Sequence, residues 1–135
     1  MLCQSWLTRD SENFAGLIWN YTTPDQDESD RPYFRKLHPA TPVAPVELKV
    51  TSLDPGNYRL SVHRTGYKAN DAYSQYIAWG LPKDLTQAEI AELQKLSADK
   101  PETEAVVKVG ADGIFRRTIA LRTNDVILVS LSREP

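Results

Sequence analysis

The sequence predicts a mainly β fold, an antiparallel β-sandwich of six or seven strands with a helical insertion of two short helices over about residues 69–97. Three observations carry this. Short runs alternate apolar and polar side chains at the two-residue period of a half-buried strand. Turn-forming residues separate those runs at the close spacing of an all-β domain. A single stretch, Thr86 to Leu96, switches to helical spacing behind a capping signal.

Trp6-Leu7 suits a first strand, with Asp10-Ser11-Glu12-Asn13 as the following turn. Phe14 to Tyr21 is a second, ended by Thr22-Thr23-Pro24; Leu17, Trp19 and Tyr21 share one face and Ile18 takes the other. The run Pro24 to Asp30 alternates oxygen-bearing residues as a calcium loop does. It lacks the sharp-turn glycine and the bidentate glutamate, so it reads as a solvated loop. The prolines between Pro39 and Pro45 exclude a central strand there. Val46, Leu48 and Val50 alternate with Glu47, Lys49 and Thr51, and Tyr58, Leu60 and Val62 with Arg59, Ser61 and His63. Asp54-Pro55-Gly56-Asn57 between them is a reverse turn, so the two strands are expected to form a hairpin.

The insertion follows. His63-Arg64-Thr65-Gly66 leaves the strand and turns, and Ala69 to Trp79 makes a short aromatic helix that stops at Gly80. Thr86-Gln87-Ala88-Glu89 is a capping box, Ile90, Leu93 and Leu96 form one apolar stripe, and Lys95 favours the negative end of that helix. Val106, Val107 and Val109 read as a strand, Ala111-Asp112-Gly113 as a hairpin turn, and Phe115 to Leu121 as the returning strand. After a turn at Asn124-Asp125, Val126 to Leu131 is apolar on both faces, which predicts a central strand. A plain sandwich would join Val62 to Val106 by a short loop; connections as long as this one are usually functional.

At 135 residues the chain is expected to be one domain, residues 1–135, large enough to bury a core without covalent staples. Its 41% hydrophobic and 25% charged content is that of a folded globular protein. A net charge of -2 offers no electrostatic footprint for nucleic acid or a membrane surface. No apolar run approaches the ~20 residues that span a bilayer. Cys3, the one cysteine, has no internal partner for a disulfide. Met1 to Ser5 lacks the basic start and apolar run of a secretory signal, so the chain as it stands is expected to be cytoplasmic, or to be a piece whose targeting segment lies elsewhere.

Chemistry is hard to assemble. His38, His63 and Cys3 have no zinc-site spacing, no Gly-x-Ser-x-Gly elbow is present, and the six glycines form no phosphate loop. No metal, cofactor or catalytic set is expected. What remains is the segment at the front of the insertion, where His63, Arg64, Tyr67, Asn70, Asp71, Tyr73, Tyr76 and Trp79 are the candidate interaction or pocket-shaping residues. The aromatic rings offer flat apolar faces with polar edges, and the polar groups could orient a ligand. The plainer alternative is structural: Tyr73, Tyr76 and Ile77 pack on the sandwich or the second helix, Asn70 or Asp71 caps a helix, and Arg64 pairs with an acid.

Tyr58-Arg59-Leu60-Ser61-Val62-His63-Arg64, Asn70-Asp71-Ala72-Tyr73, Trp79-Gly80-Leu81-Pro82 and the Thr86–Leu96 helix together resemble the C-terminal part of family 39 glycoside hydrolases. Gly16 to Tyr21, Val109 to Gly113 and Arg122 to Val129 agree in order and spacing. The likeness spans about Leu7 to Leu131, is closest to bacterial β-xylosidases and more distant to α-iduronidases. It implies an accessory β-sandwich packed on a TIM barrel, with both catalytic glutamates in the barrel. No position here matches the motifs around either glutamate. The expected role is therefore non-catalytic, with a catalytic barrel or a homologous subunit as partner and the insertion helping to shape that barrel's substrate pocket or an oligomer contact. The alternative is an independent carbohydrate-binding module that takes xylo-oligosaccharide on exposed aromatics.

Overall fold

In chain order, the computed structural model, which describes residues 3–22 and 31–135, contains β1 (Gln4–Arg9), β2 (Asn13–Trp19), α1 (Arg31–Phe34), β3 (Pro42–Val50), β4 (Gly56–Thr65), α2 (Tyr73–Ala78), α3 (Gln87–Leu96), β5 (Thr103–Val109), β6 (Phe115–Arg122) and β7 (Val126–Arg133). The expected mainly β architecture with two helices in the β4–β5 connection is present. The acidic run from Pro24 to Asp30 lies outside the described residues.

The strands form two antiparallel sheets, one of five in the order β1-β2-β7-β4-β5 and one of two, β3-β6. Their inner faces meet in a single core. From the large sheet come Phe14, Ile18, Tyr58, Leu60, Val62, Val109, Ile127, Val129 and Leu131; from the small one come Leu48, Val50, Phe115, Ile119 and Leu121. The period-two runs are the cause, since alternate residues of each strand point to the same face. β7 lies between β2 and β4, as its two apolar faces predict: Ile127, Val129 and Leu131 fill the core while Val126 and Leu128 face outwards.

Two predicted hairpins do not form. β3 pairs with β6, while β4 pairs with β5 and β7 in the other sheet, so neither β3–β4 nor β5–β6 is a hairpin. Alternation fixes which side chains turn inwards but leaves the pairing partner open, and strands facing one core from opposite sheets carry the same pattern. The two segments read as hairpin turns are instead sheet-to-sheet crossings, and they brace one another. The Leu53 N–H donates to the Gly113 carbonyl at 3.0 Å. Gly113 has φ +64°, and a Cβ there would stand 2.6 Å from the Leu53 carbonyl oxygen.

Pro42 and Pro45 do lie within a strand, but β3 pairs on one side only, and its register slips between Val43 and Val46. An edge strand with a bulge is where proline is tolerated. The short helix α1, which the sequence reading missed, sits beside the insertion. The capping box of α3 is formed as predicted, Thr86 Oγ1 accepting from Glu89 N at 3.2 Å and Glu89 Oε2 accepting from Thr86 N at 2.8 Å.

Candidate functional site

The insertion leaves β4 through a turn whose base is a closed pair of hydrogen bonds, Gly66 N to Ala69 O and Ala69 N to Gly66 O, each 3.0 Å. Lys68 and Asn70 take positive φ, at 55° and 47°. Asparagine tolerates this conformation because its side chain can bond locally. Here it does more. Asn70 Nδ2 donates to the Arg64 carbonyl at 2.9 Å and to the Lys100 carbonyl at 3.0 Å, and Oδ1 accepts from Lys100 N at 3.0 Å. One side chain thus clasps the outgoing and returning ends of the insertion.

Beneath the clasp lies an ionic knot. Asp125 is fully buried and takes hydrogen bonds from the guanidiniums of Arg64 and Arg122. Arg64 also makes a two-pronged contact with Glu102, Nε to Oε1 at 2.9 Å and Nη2 to Oε2 at 3.2 Å, and donates to the Ala120 carbonyl at 2.7 Å. Burial disfavours the charged form of Arg64, but Glu102 and then Asp125 more than offset it, so its pKa is raised. Gly66 completes the fit, because a Cβ there would collide with Asp125 Oδ1. Arg122 reaches across to the Tyr67 carbonyl at 3.2 Å.

Asp71 starts α2. Its carboxylate accepts from the backbone of Tyr73 at 2.9 Å, Ser74 at 3.2 Å and Lys68 at 3.1 Å, and from the Ser74 hydroxyl. This is a helix cap displaced by one residue, with anionic charge at the positive end of the helix. His63 Nδ1 lies 2.7 Å from Asp99 Oδ1 on the outer face of the large sheet. The Tyr76 hydroxyl donates to the Pro82 carbonyl at 2.9 Å, and Trp79 closes α2 through its N–H to Gln75 O at 3.0 Å. The Tyr73 ring is half exposed, and its hydroxyl donates to the Phe34 carbonyl at 2.7 Å, tying α2 to α1.

A cleft of about 350 Å³ lies between α1 and the front of the insertion, bringing together Tyr67, Asn70, Asp71 and Tyr73 of the predicted residues with Tyr33 and Phe34. His63, Arg64, Tyr76 and Trp79 do not line it. Among the described residues no buried side-chain nitrogen or oxygen lacks a partner, and no three of His, Cys, Asp and Glu converge as a metal set. No described helix is long and apolar enough to cross a membrane. The polar candidates are engaged in contacts that tie the helical arm to the sandwich, and of its aromatic candidates Tyr73 is exposed while Tyr67, Tyr76 and Trp79 are half-buried.

The sequence reading named Arg64, Asn70 and Asp71 but missed Glu102, Arg122, Asp125 and α1. Arg122 and Asp125 are three apart, a spacing compatible with a salt bridge around a tight turn. The link from Asp125 to Arg64, 61 positions away, had no local signal.

A two-sheet antiparallel sandwich with a rooted helical arm in one strand connection is the class these features define. Among solved structures, the same fold occurs in a GH39 enzyme from Xanthomonas axonopodis pv. citri, 38% identical with a TM-score of 0.89 over 96% of this chain and 26% of that one. It also occurs in a monomeric β-xylosidase from Caulobacter crescentus CB15, 41% identical with a TM-score of 0.89 over 98% and 26%. A bacterial orthologue of human α-L-iduronidase shares the fold alone, at 14% identity and a TM-score of 0.70. No family model and no curated protein matches the chain by sequence. The chain resembles, over nearly its whole length, a segment of the family 39 glycoside hydrolases, and of their β-xylosidases in particular. It spans about a quarter of the length of those enzymes.

Proposed function

We propose that this chain is a non-catalytic accessory domain of a family 39 β-xylosidase, which packs on a catalytic TIM barrel and uses the arm from Tyr67 to Leu96 to shape that barrel's substrate pocket or an oligomer contact. The observation that carries the reading is the match to a β-xylosidase at 41% identity over 98% of this chain but 26% of the enzyme. The site supports it in kind. The polar groups of Arg64, Asn70 and Asp71 are engaged in holding the arm, and His63 pairs with Asp99 at its returning end. On this reading Tyr73, Tyr76 and Trp79 are the contact residues, and the acid/base and nucleophile reside in the barrel.

The test is turnover by the purified chain. Aryl xyloside should be hydrolysed no faster than in buffer, and xylo-oligosaccharide should leave tryptophan fluorescence unchanged. Hydrolysis abolished by one carboxylate substitution would overturn the reading. Saturable quenching would replace it with a sugar-binding module.

A further inference from the structure

The outer faces of the two sheets differ in character. On the small sheet the outward positions include Glu47, Lys49, Arg116 and Thr118, as expected of a face in water. On the β1-β2-β7 half of the large sheet the outward positions are uncharged and mostly apolar. Register places Trp6 beside Leu17 and Leu17 beside Leu128 in one row, and Gln4, Trp19 and Val126 in the next. Trp6 is 73% exposed, and Val126 and Leu128 are 40% exposed each. The row towards the other end is Thr8, Ala15 and Ser130, so none of these nine adjoining positions carries a charge. An uncharged face centred on five large apolar side chains is unusual for a surface left in water and marks a contact site.

We propose that this face, built by Trp6, Leu17, Trp19, Val126 and Leu128, is where the rest of a family 39 enzyme docks. The proposal rests on the accessory-domain reading and specifies its surface. Two facts select this occupant. The relatives that share the fold carry roughly three-quarters of their length outside it. One of them, 41% identical, is a monomeric enzyme, in which a second copy does not cover such a face. The face is also continuous with the arm: Trp19 and Val126 line a cleft with Tyr33 and Phe34, which also border the cleft of Tyr67 and Tyr73. A partner seated on the sheet face would reach α1 and the arm together.

Thiol accessibility tests this directly. In a Cys3→Ser background, Leu128→Cys marks the face, Thr118→Cys the opposite sheet and Tyr73→Cys the arm. Each is placed in the isolated chain and in the Caulobacter β-xylosidase with its matching segment replaced by this chain. If that hybrid does not fold, the counterparts of the three positions are labelled in the intact Caulobacter enzyme. The expected result is labelling at 128 slowed at least tenfold in the enzyme relative to the isolated chain, with 118 fast in both. Equal rates at 128 in the two settings overturn the proposal. If 73 is protected and 128 is not, the docking reading stands and this face is the wrong one. If neither is protected, both fail. Concentration-dependent protection of 128 in the isolated chain would assign the face to a second copy and also overturn the proposal.

Discussion

Asp125 is the residue on which the base of the arm depends. It is fully buried between two guanidiniums, and removing one partner of a buried ion pair leaves the others desolvated and uncompensated, a loss of about 3–5 kcal/mol. Asp125→Ala should therefore lower the unfolding free energy by that amount in a denaturant titration; a shift under about 1 kcal/mol would mean that water replaces the carboxylate. Gly66→Ala strikes the same spot from outside, its Cβ meeting Asp125 Oδ1, and should cost about 1–3 kcal/mol as an overpacking change. Acidity enters elsewhere. Asp10 has its pKa lowered, chiefly by the Glu12 backbone N–H and then by Asn13. A carboxylate with a depressed folded pKa contributes stability above its unfolded value near 3.8, lost as pH falls through the folded one. Asp10→Asn should thus be less stable than the parent at pH 7 and converge with it at acid pH; a gap that persists at pH 2 would contradict this. Arg64, with its pKa raised above the ordinary guanidinium value, contributes at every pH below that value, so neutral-to-alkaline titration should show no loss from it.

At the scale of elements, the arm is held mainly at its root. Neither α2 nor α3 contains a fully buried residue, whereas the Asn70 clasp and the ionic knot are firm. Such a segment opens more readily than the sheets around it. Asn70→Ala should speed proteolysis between Tyr67 and Lys100 severalfold while the main unfolding transition moves little; unchanged cleavage would show that Asp71 and the tyrosines hold the arm without it. The sequence shows the elements well for a physical reason. Strand alternation, the Thr86 capping box and the apolar β7 are local patterns written within ten residues. The pairing of β3 with β6 is a matter of which sheet each strand joins, and nothing in Val46-Leu48-Val50 distinguishes a partner at residues 56–65 from one at 115–122. The site divides in the same way. Asp71 reads as a cap because its partners are close in sequence; Asn70, the other candidate cap, instead clasps Arg64 and Lys100, and the Arg64–Asp125 contact exists only once β4 and β7 are side by side.

For the whole molecule, the proposed function has the rooted arm on the β-sandwich shape a substrate pocket whose catalytic groups belong to a partner barrel. The most direct measurement replaces the matching segment of the Caulobacter β-xylosidase with this chain and compares kcat/KM on an aryl xyloside with and without the triple substitution Tyr73→Ala, Tyr76→Ala and Trp79→Ala. The account predicts an active hybrid that loses on the order of tenfold or more with the triple substitution, since small displacements of pocket-forming groups weaken transition-state positioning. An active hybrid with the same kcat/KM in both forms would contradict it.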